Sequence, residues 1–487
     1  GAIRKRGGTS YMRSKAEGAA MTGTLLSVFL ALMVTGIPVA IAMAGASLIY
    51  IWLSGSSPPM VVVHRMISGL DSFPLLAVPF FILAGNLMNN AGITNRIYNF
   101  ALALVGWMKG GLGHVNIIGS VIFAGMSGTA IADAAGLGTI EIKAMRDHGY
   151  SKEFSVGVTA ASATLGPIIP PSLPFVIYGM VANVSIGQLF LAGILPGLVM
   201  TVLMMLTVAY FAHKNNWGAD IKFLWSRVGK ATLELSIVIA FPLVIWGAVL
   251  LGANPPTATG VALVALFAAD WKWKFEAVLP IMTPVLLIGG MTTGIFTPTE
   301  GAVAASIWSL FLGLVWYRTL SFKMLVKVSM ETIETTATVL FIVAAASIFG
   351  WLLTATRVTD MVTAWVLGFT HSQWVFLLLV NLLLLFVGCF LEPTAAILIA
   401  VPVLMPAVTQ LGIDPVHFGL IVVLNLMIGL LHPPMGMVLY VLARVARMSL
   451  ERTTMAILPW LVPLLGSLIL ITYVPIISLW LPRLVYR

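Results

Sequence analysis

The sequence predicts an all-α polytopic membrane protein built from two inverted-topology repeats. Three observations predict it. Hydrophobic residues make up 60% of the 487-residue chain and charged residues 9%, against about 25% charged in a soluble domain, so a soluble core cannot hide this much apolar surface. Apolar runs recur at 24–53, 187–211, 233–251, 331–353, 374–391 and 452–482. Each is long enough to cross a hydrocarbon core of about 30 Å as a helix, and their continuity excludes the alternating pattern of a barrel. Finally, residues 123–199, displaced by 263 positions without a gap, fall on 386–462.

The duplication rests on glycine and proline. Phe123 meets Phe386, Gly125 meets Gly388 and Ala144 meets Ala407. Gly149 meets Gly412, Gly166 meets Gly429, Pro170-Pro171 meet Pro433-Pro434, and Ile194-Leu195-Pro196 meet Ile457-Leu458-Pro459. Weaker matches lie upstream: T-G-I-P at 35–38 against T-G-I-F at 293–296, and F-I-L-A at 81–84 against F-I-V-A at 341–344. A duplicated apolar chain broken at matching places is the pattern of a secondary transporter, whose broken segments form the binding site.

Loop charges orient the halves. The apolar stretch 113–142 is flanked by Lys109 and by Lys143, Arg146 and Lys152. Basic flanks on both sides place both ends in the cytoplasm, so the stretch reads as a re-entrant hairpin. Its partner, 374–408, is flanked by T-H-S-Q at 370–373 and T-Q-L-G-I-D-P at 409–415, without Lys or Arg, and is expected to enter from outside. Lys214, Lys222, Arg227 and Lys230 mark one cytoplasmic loop. Arg318, Lys323 and Lys327 mark a second, and Arg444, Arg447 and Arg452 a third. Repeat parity puts the N-terminus outside, whereas Arg4, Lys5, Arg6, Arg13 and Lys15 argue for inside. Two short segments broken at Gly36–Pro38 favour parity, and one long kinked helix favours the charges.

The resulting organisation is a polar segment at 1–21, then a first repeat at 22–213 with its hairpin at about 113–146 and a broken helix at 152–183. A cytoplasmic loop follows at 214–277, with a helical pair inserted over 231–270 that turns at Asn254-Pro255-Pro256. The second repeat spans 278–487, with its hairpin at about 374–410 and a broken helix at 414–446. The start, Gly1 to Ala20, is polar and basic and lacks the short apolar core of a cleavable signal peptide.

Candidate site residues sit at the breaks. G-M-S-G-T-A-I-A-D-A-A-G at 125–136 offers the hydroxyls of Ser127 and Thr129, glycines such as Gly128 that let the backbone turn, and Asp133. An acid inside the membrane is functional by default; the alternative is that Gly and Ala only allow close helix packing. G-P-I-I-P-P-S-L-P at 166–174 cannot continue a helix. Carbonyls freed around Gly166, Pro167 and Pro170, with the Ser172, Ser162 and Thr164 hydroxyls, suit a hard cation such as Na⁺. The N-terminus of the following half-helix suits a carboxylate. A simple proline kink is the alternative.

The repeat partners are Glu392-Pro393-Thr394 at the tip of the second hairpin, and Gly429 with His432-Pro433-Pro434-Met435-Gly436 at the second break. They imply a second cation cage. His432 reads equally as a proton relay or a structural hydrogen-bond partner, and Glu392 as a ligand or a turn-closing group. T-P-T-E at 297–300 places Thr297, Thr299 and Glu300 between two apolar runs, as a site or as a helix cap with Pro298 at the first position.

Other chemistries lack their residues. No Walker A sequence is present and no His/Cys cluster has metal-ligand spacing, so an enzyme is not expected. The net charge of +9 is spread over loops, as in a membrane protein with basic cytoplasmic loops, and does not indicate nucleic acid. Cys389, the single cysteine, forms no internal disulfide. A proton-coupled, stand-alone organic-anion transporter using Asp133, Glu392 and His432 is the competing function.

P-F-F-I-L-A-G-N-L-M (79–88), G-M-S-G-T-A-I-A-D (125–133), G-P-I-I-P-P-S (166–172), G-I-F-T-P-T-E (294–300) and H-P-P-M-G (432–436) occur in this order. Together they resemble the large membrane subunit of tripartite ATP-independent periplasmic (TRAP) transporters from about residue 22 to the C-terminus, apart from the longer segment at 231–270. The resemblance implies Na⁺-driven import of an organic acid, a carboxylate or sugar acid, across the bacterial inner membrane. It also implies a periplasmic substrate-binding protein and a small four-helix membrane subunit as partners in the bilayer, and elevator-type movement. Carried onto this chain, it implies one Na⁺ site at Ser127, Thr129 and Gly166–Ser172. A second would lie at Glu392–Thr394 and Gly429–Gly436, with substrate between the two hairpin tips.

Overall fold

The computed structural model describes residues 23–225 except 56, the isolated positions 229 and 232, and residues 278–486 except 293 and 435. The N-terminal segment 1–21 and, apart from Thr232, the inserted pair expected over 231–270 lie outside the described residues. The secondary structure is almost wholly helical. The helices are α1 (Gly23–Val34), α2 (Val39–Ser54), α3 (Met60–Leu70), α4 (Ala77–Asn90) and α5 (Ile93–Val105). Then come α6 (Gly111–Ser127), α7 (Ala130–Ala135), α8 (Leu137–Asp147), α9 (Lys152–Ala163), α10 (Leu173–Ala182) and α11 (Ile186–Lys214). After the loop, α12 (Val278–Thr292), α13 (Pro298–Phe311), α14 (Phe322–Ala355), α15 (Val358–Phe369) and α16 (Gln373–Gly388) follow. The chain ends with α17 (Pro393–Gln410), α18 (Pro415–Gly429), α19 (Met437–Ala446), α20 (Leu450–Tyr473) and α21 (Ile476–Val485).

Among the described residues, six helical stretches are long and apolar enough to cross a membrane: Phe73–Asn90, Ile186–Lys214, Pro298–Trp316, Phe322–Ala355, Pro393–Gln410 and Leu450–Tyr473. Two apolar runs are not single helices. The run at 24–53 stops at Val34 and restarts at Val39, because Gly36 takes φ +81° and Pro38 supplies no N–H to the ladder. The run at 452–482 stops at Tyr473 and restarts after Pro475. Large apolar side chains such as Leu30, Val202, Leu206 and Val462 are exposed, as suits helices solvated by lipid tails.

Helix starts are written in capping residues. Ser151 accepts a hydrogen bond from the Phe154 N–H, Ser185 from the Gln188 N–H and Ser449 from the Arg452 N–H. Each cap satisfies one of the four orphan donors of a helix start and contributes about 1 kcal/mol. Thr297 and Glu300 form a reciprocal capping box at the start of α13.

The chain divides into two compact units. The larger comprises Phe73–Thr336, Leu379–Phe390 and Val416–Arg487. Within it α9 packs on α20, α5 and α8 on α6, α4 on α13, and α11 on α21. The buried Trp460 ring on α20 lies 5.7 Å from that of Phe154 and 5.9 Å from that of Phe211. The loop after α11 fastens the start of α6: Asp220 Oδ2 accepts from the Leu112 N–H at 2.8 Å and from the Tyr150 hydroxyl at 2.6 Å. Burial and that carboxylate push the Tyr150 phenol well above the usual tyrosine range. The smaller unit comprises Gly1–Ser72, Ala337–Leu378 and Leu391–Pro415. Within it α15 packs on α17 and α2 on α3, and the Phe29 and Phe349 rings lie 5.0 Å apart.

The α9–α20 contact is close enough to test. A Cβ on Gly157 would sit 2.4 Å from the Ala456 carbonyl oxygen and 2.5 Å from the Trp460 ring, whereas one on Gly466 meets nothing within 4 Å. Gly157→Val is expected to destabilise the protein by about 1–3 kcal/mol through overpacking, and Gly466→Ala to cost nothing. Thermal unfolding in detergent micelles checks both; equal melting temperatures for the two variants would contradict this packing.

Candidate functional site

The proline-rich stretch after α9 does not continue as a helix. Helical structure ends at Ala163 and resumes at Leu173, with Ser172 capping α10 by accepting from the Phe175 N–H at 3.3 Å. The Ser172 hydroxyl donates to the Pro167 carbonyl at 2.5 Å. No hydrogen bond among the described residues reaches the carbonyls of Gly166, Ile169, Pro170 or Pro171. The Pro170–Pro171 peptide is cis. Oxygen atoms freed in this way inside a membrane protein need a partner.

The tip of the first hairpin lies on this break. α6 ends at Ser127, Gly128 takes φ +63°, and Thr129 caps α7 by accepting from the Ala132 N–H at 3.3 Å. A Cβ on Gly128 would stand 2.6 Å from the Pro171 carbonyl oxygen, and one on Gly166 would stand 3.0 Å from the Thr129 carbonyl oxygen. Only residues without side chains allow this approach, and Gly128 also needs its left-handed backbone. Ser127 is buried and its hydroxyl has no partner. Gly85 on α4 closes the other side, since a Cβ there would stand 3.3 Å from Ser127 Cα. The sequence-predicted set Ser127, Gly128, Thr129, Gly166, Pro167, Pro170 and Ser172 is therefore brought together. Nearby, Ser162 donates to Asn116 Oδ1 at 2.7 Å and Thr164 to the Ala161 carbonyl at 2.6 Å.

Asp133 lies one turn into α7, is 1% exposed, and its Oδ2 accepts no hydrogen bond. The larger unit also holds the second break, between Gly429 and Met437. Its Pro433–Pro434 peptide is cis, 263 positions from the cis Pro170–Pro171 peptide. The His432 ring is 3.0 Å, through Nδ1, from the Ile428 carbonyl near the end of α18, and the Pro434 carbonyl accepts from the Tyr440 hydroxyl at 2.9 Å. A Cβ on Gly429 would stand 2.7 Å from Gly388 Cα, so the end of α16 meets this break at a pair of glycines. A Cβ on Gly436 would stand 2.5 Å from the Leu430 carbonyl.

Glu392, Pro393 and Thr394 belong to the smaller unit. There Glu392 caps α17, accepting from the Ala395 N–H at 3.2 Å and from the Thr394 hydroxyl at 2.7 Å, with Pro393 at the first helical position. At the 297–300 segment, the Glu300 carboxylate accepts from the Thr297 N–H and hydroxyl, both at 2.8 Å, and Thr299 donates to the Phe73 carbonyl at 3.1 Å. Local helix starts thus occupy these polar groups.

Two groups escaped the sequence reading. Glu141 and Asn116 are buried and hydrogen-bonded to each other at 2.6 Å. Glu141 stands beside Lys143 and Arg146 in the sequence and reads as an ordinary loop-proximal charge. Asn116, Ser120 and Ser127 share one helix face by their spacing of four and seven, a signal present in the sequence.

Comparison with known proteins places this geometry in a family. The model of the tripartite ATP-independent periplasmic transporter DctM component matches residues 26–271 and 268–477. The sialic acid TRAP transporter large permease protein SiaM of Vibrio cholerae is 43% identical over 464 residues, covering 95% of this chain and 99% of that protein. The sialic acid TRAP transporter permease protein SiaT of Haemophilus influenzae is 39% identical, over 94% of this chain and 68% of that protein. The C4-dicarboxylate TRAP transporter large permease protein DctM of Rhodobacter capsulatus is 33% identical, over 94% and 98%. The fold is similar to the YdaH transporter of Alcanivorax borkumensis, at TM-score 0.57 and 14% identity over 84% of this chain and 86% of that one. It is also similar to MtrF of Neisseria gonorrhoeae, at TM-score 0.55 and 12% identity over 86% and 83%. The relatives are transport permeases rather than enzymes. The chain belongs to the DctM component family of tripartite ATP-independent periplasmic transporters, as a multi-pass large permease of the inner membrane.

Proposed function

We propose that this permease carries an organic acid inward with Na⁺ and that the first-hairpin tip and the first break hold one coupling ion. The observation that carries the reading is the approach of the hairpin tip, with its unpartnered Ser127 hydroxyl, to a break whose carbonyls at Gly166, Ile169, Pro170 and Pro171 accept no hydrogen bond among the described residues. Neutral carbonyl and hydroxyl oxygens are the ligands a hard monovalent cation takes. The matching break at Gly429–Gly436 supplies a second candidate set.

A carboxylate crossing the bilayer alone is very costly, and loading cations beside it offsets the charge. Relatives named for sialic acid and for C4-dicarboxylates are both permeases of carboxylates, which supports an organic acid here, with a sugar acid of the sialic acid class the first to test. The family supports a periplasmic substrate-binding protein and a small membrane subunit as partners. Alternating access by elevator movement of inverted hairpins and breaks is the transport mode we propose.

Uptake of radiolabelled sialic acid and of C4-dicarboxylates into proteoliposomes holding the chain, its small membrane partner and the binding protein tests the reading. Uptake is expected to require an inward Na⁺ gradient and the binding protein. Uptake that follows a proton gradient without Na⁺ would instead support a stand-alone carrier using Asp133, Glu392 and His432.

Ser127→Ala is expected to remove one cation ligand, worth about 1.5 kcal/mol, and so to weaken apparent Na⁺ affinity roughly tenfold with little change in folding. The same Na⁺ dependence in this variant as in the wild type would remove Ser127 from the site. Gly128→Val is expected to abolish uptake, because its side chain meets the Pro171 carbonyl and the left-handed backbone disfavours it. Full uptake by this variant would show that the tip does not close on the break.

A further inference from the structure

The stem of the first hairpin holds a second polar cluster, below the tip. Glu141 on α8 is 1% exposed. Its Oε2 accepts from Asn116 Nδ2 at 2.6 Å. The neighbours fix the orientation of that amide. Nδ2 also donates to Thr159 Oγ1 at 2.8 Å, the Thr159 hydroxyl donates to the Ser155 carbonyl at 2.8 Å, and Asn116 Oδ1 accepts from Ser162 at 2.7 Å. Glu141 Oε2 is therefore held as an acceptor.

Glu141 Oε1 has no hydrogen-bond partner. It lies against Gly119, where an added Cβ would stand 2.7 Å from Oε1 and 3.2 Å from the Leu137 side chain. The titratable groups facing Glu141 are Asp133 on α7 and Tyr98 on α5. The other ionisable side chains on the elements packed against α8 are His114 on α6, Arg96 on α5, Lys152 and Glu153 on α9, and Tyr440 and Arg444 on α19. Lys143, Arg146 and Asp147 on α8 itself are exposed. Among the described residues none of these forms an ion pair with Glu141, and Glu153 is paired with Arg452.

A carboxylate buried without a cation is far costlier than a neutral carboxyl in the same place, and such a group takes up a proton rather than remain charged. A metal cation requires a shell of several oxygens, whereas the free oxygen here faces a glycine backbone and a leucine. A proton requires one oxygen. We propose that Glu141 is a proton-binding site in the stem of the first hairpin, carrying its proton on Oε1 while Oε2 stays tied to Asn116. The step is a protonation: an O–H bond forms at Oε1 with a proton given up by hydronium, leaving water, and no other bond changes. The site is distinct from Ser127 and Thr129 at the tip, and it goes beyond the sodium reading without depending on it. Through Asn116 and Ser162 it is linked to α9, the helix that breaks at Gly166, so proton occupancy bears on how the stem holds the broken helix.

Infrared spectroscopy of the full-length chain in lipid tests this. Wild type is expected to show the C=O stretching band of a protonated, buried carboxyl at neutral pH. Glu141→Gln is expected to lose that band and Asp133→Asn to keep it. Asn116→Leu is expected to shift it to higher frequency, because the carbonyl oxygen loses its hydrogen bond. A wild-type spectrum without such a band would overturn the proposal, as would a band lost in Asp133→Asn and kept in Glu141→Gln. A carboxylate band that moves on adding NaCl, with no protonated band, would mean a bound metal cation and would overturn it equally. Should Glu141→Gln fail to fold, the wild-type spectrum and the Asn116→Leu shift decide.

Discussion

The structure depends on one constraint: a backbone carbonyl freed within a membrane protein must find a partner. Prolines at 167, 170, 171 and 174 leave the chain without a helix between Ala163 and Leu173. The Ser172 side chain satisfies Pro167. The Ser127-Gly128-Thr129 turn comes up against this break, with Gly128 at the Pro171 carbonyl and the Thr129 carbonyl at Gly166. Gly85 on α4 lies behind the same turn, and side-chain caps at Thr129 and Ser172 restart α7 and α10 on either side of the contact.

The second break answers the same constraint with different residues. Both breaks carry a cis Pro–Pro peptide 263 positions apart, yet their neighbours diverge. Gly166 meets the Thr129 carbonyl, whereas Gly429 meets Gly388. Ser162 hydrogen-bonds Asn116, whereas Asn425, at the matching position, hydrogen-bonds Asn381 at 2.7 Å. The common element is a polar link from the helix that precedes each break to an asparagine on another helix, Asn116 on α6 and Asn381 on α16.

Much of this was legible in the sequence for physical reasons. Proline and glycine act through the backbone, so G-P-I-I-P-P-S and G-M-S-G-T announce a break and a tight turn without tertiary context. Side chains whose roles depend on what lies across from them were not legible. Thr297 and Glu300 suit ligands and caps equally by sequence, and the reciprocal capping box exists only in three dimensions. Glu141 looked like a surface charge, because its burial is set by α6 and α9 rather than by its neighbours in sequence. The interruption at Pro475 was hidden by the hydrophobicity around it, which is continuous whether or not the helix is.

Under the proposed function, the freed carbonyls of the first break, closed by the hairpin tip, hold a cation. A high-resolution structure of the assembled transporter determined once in NaCl and once in choline chloride tests it most directly. The account predicts, in NaCl only, a density feature within ligand distance of the Ser127 hydroxyl and the carbonyls between Gly166 and Pro171. Identical density in both salts, with those carbonyls met by protein or water alone, would contradict it.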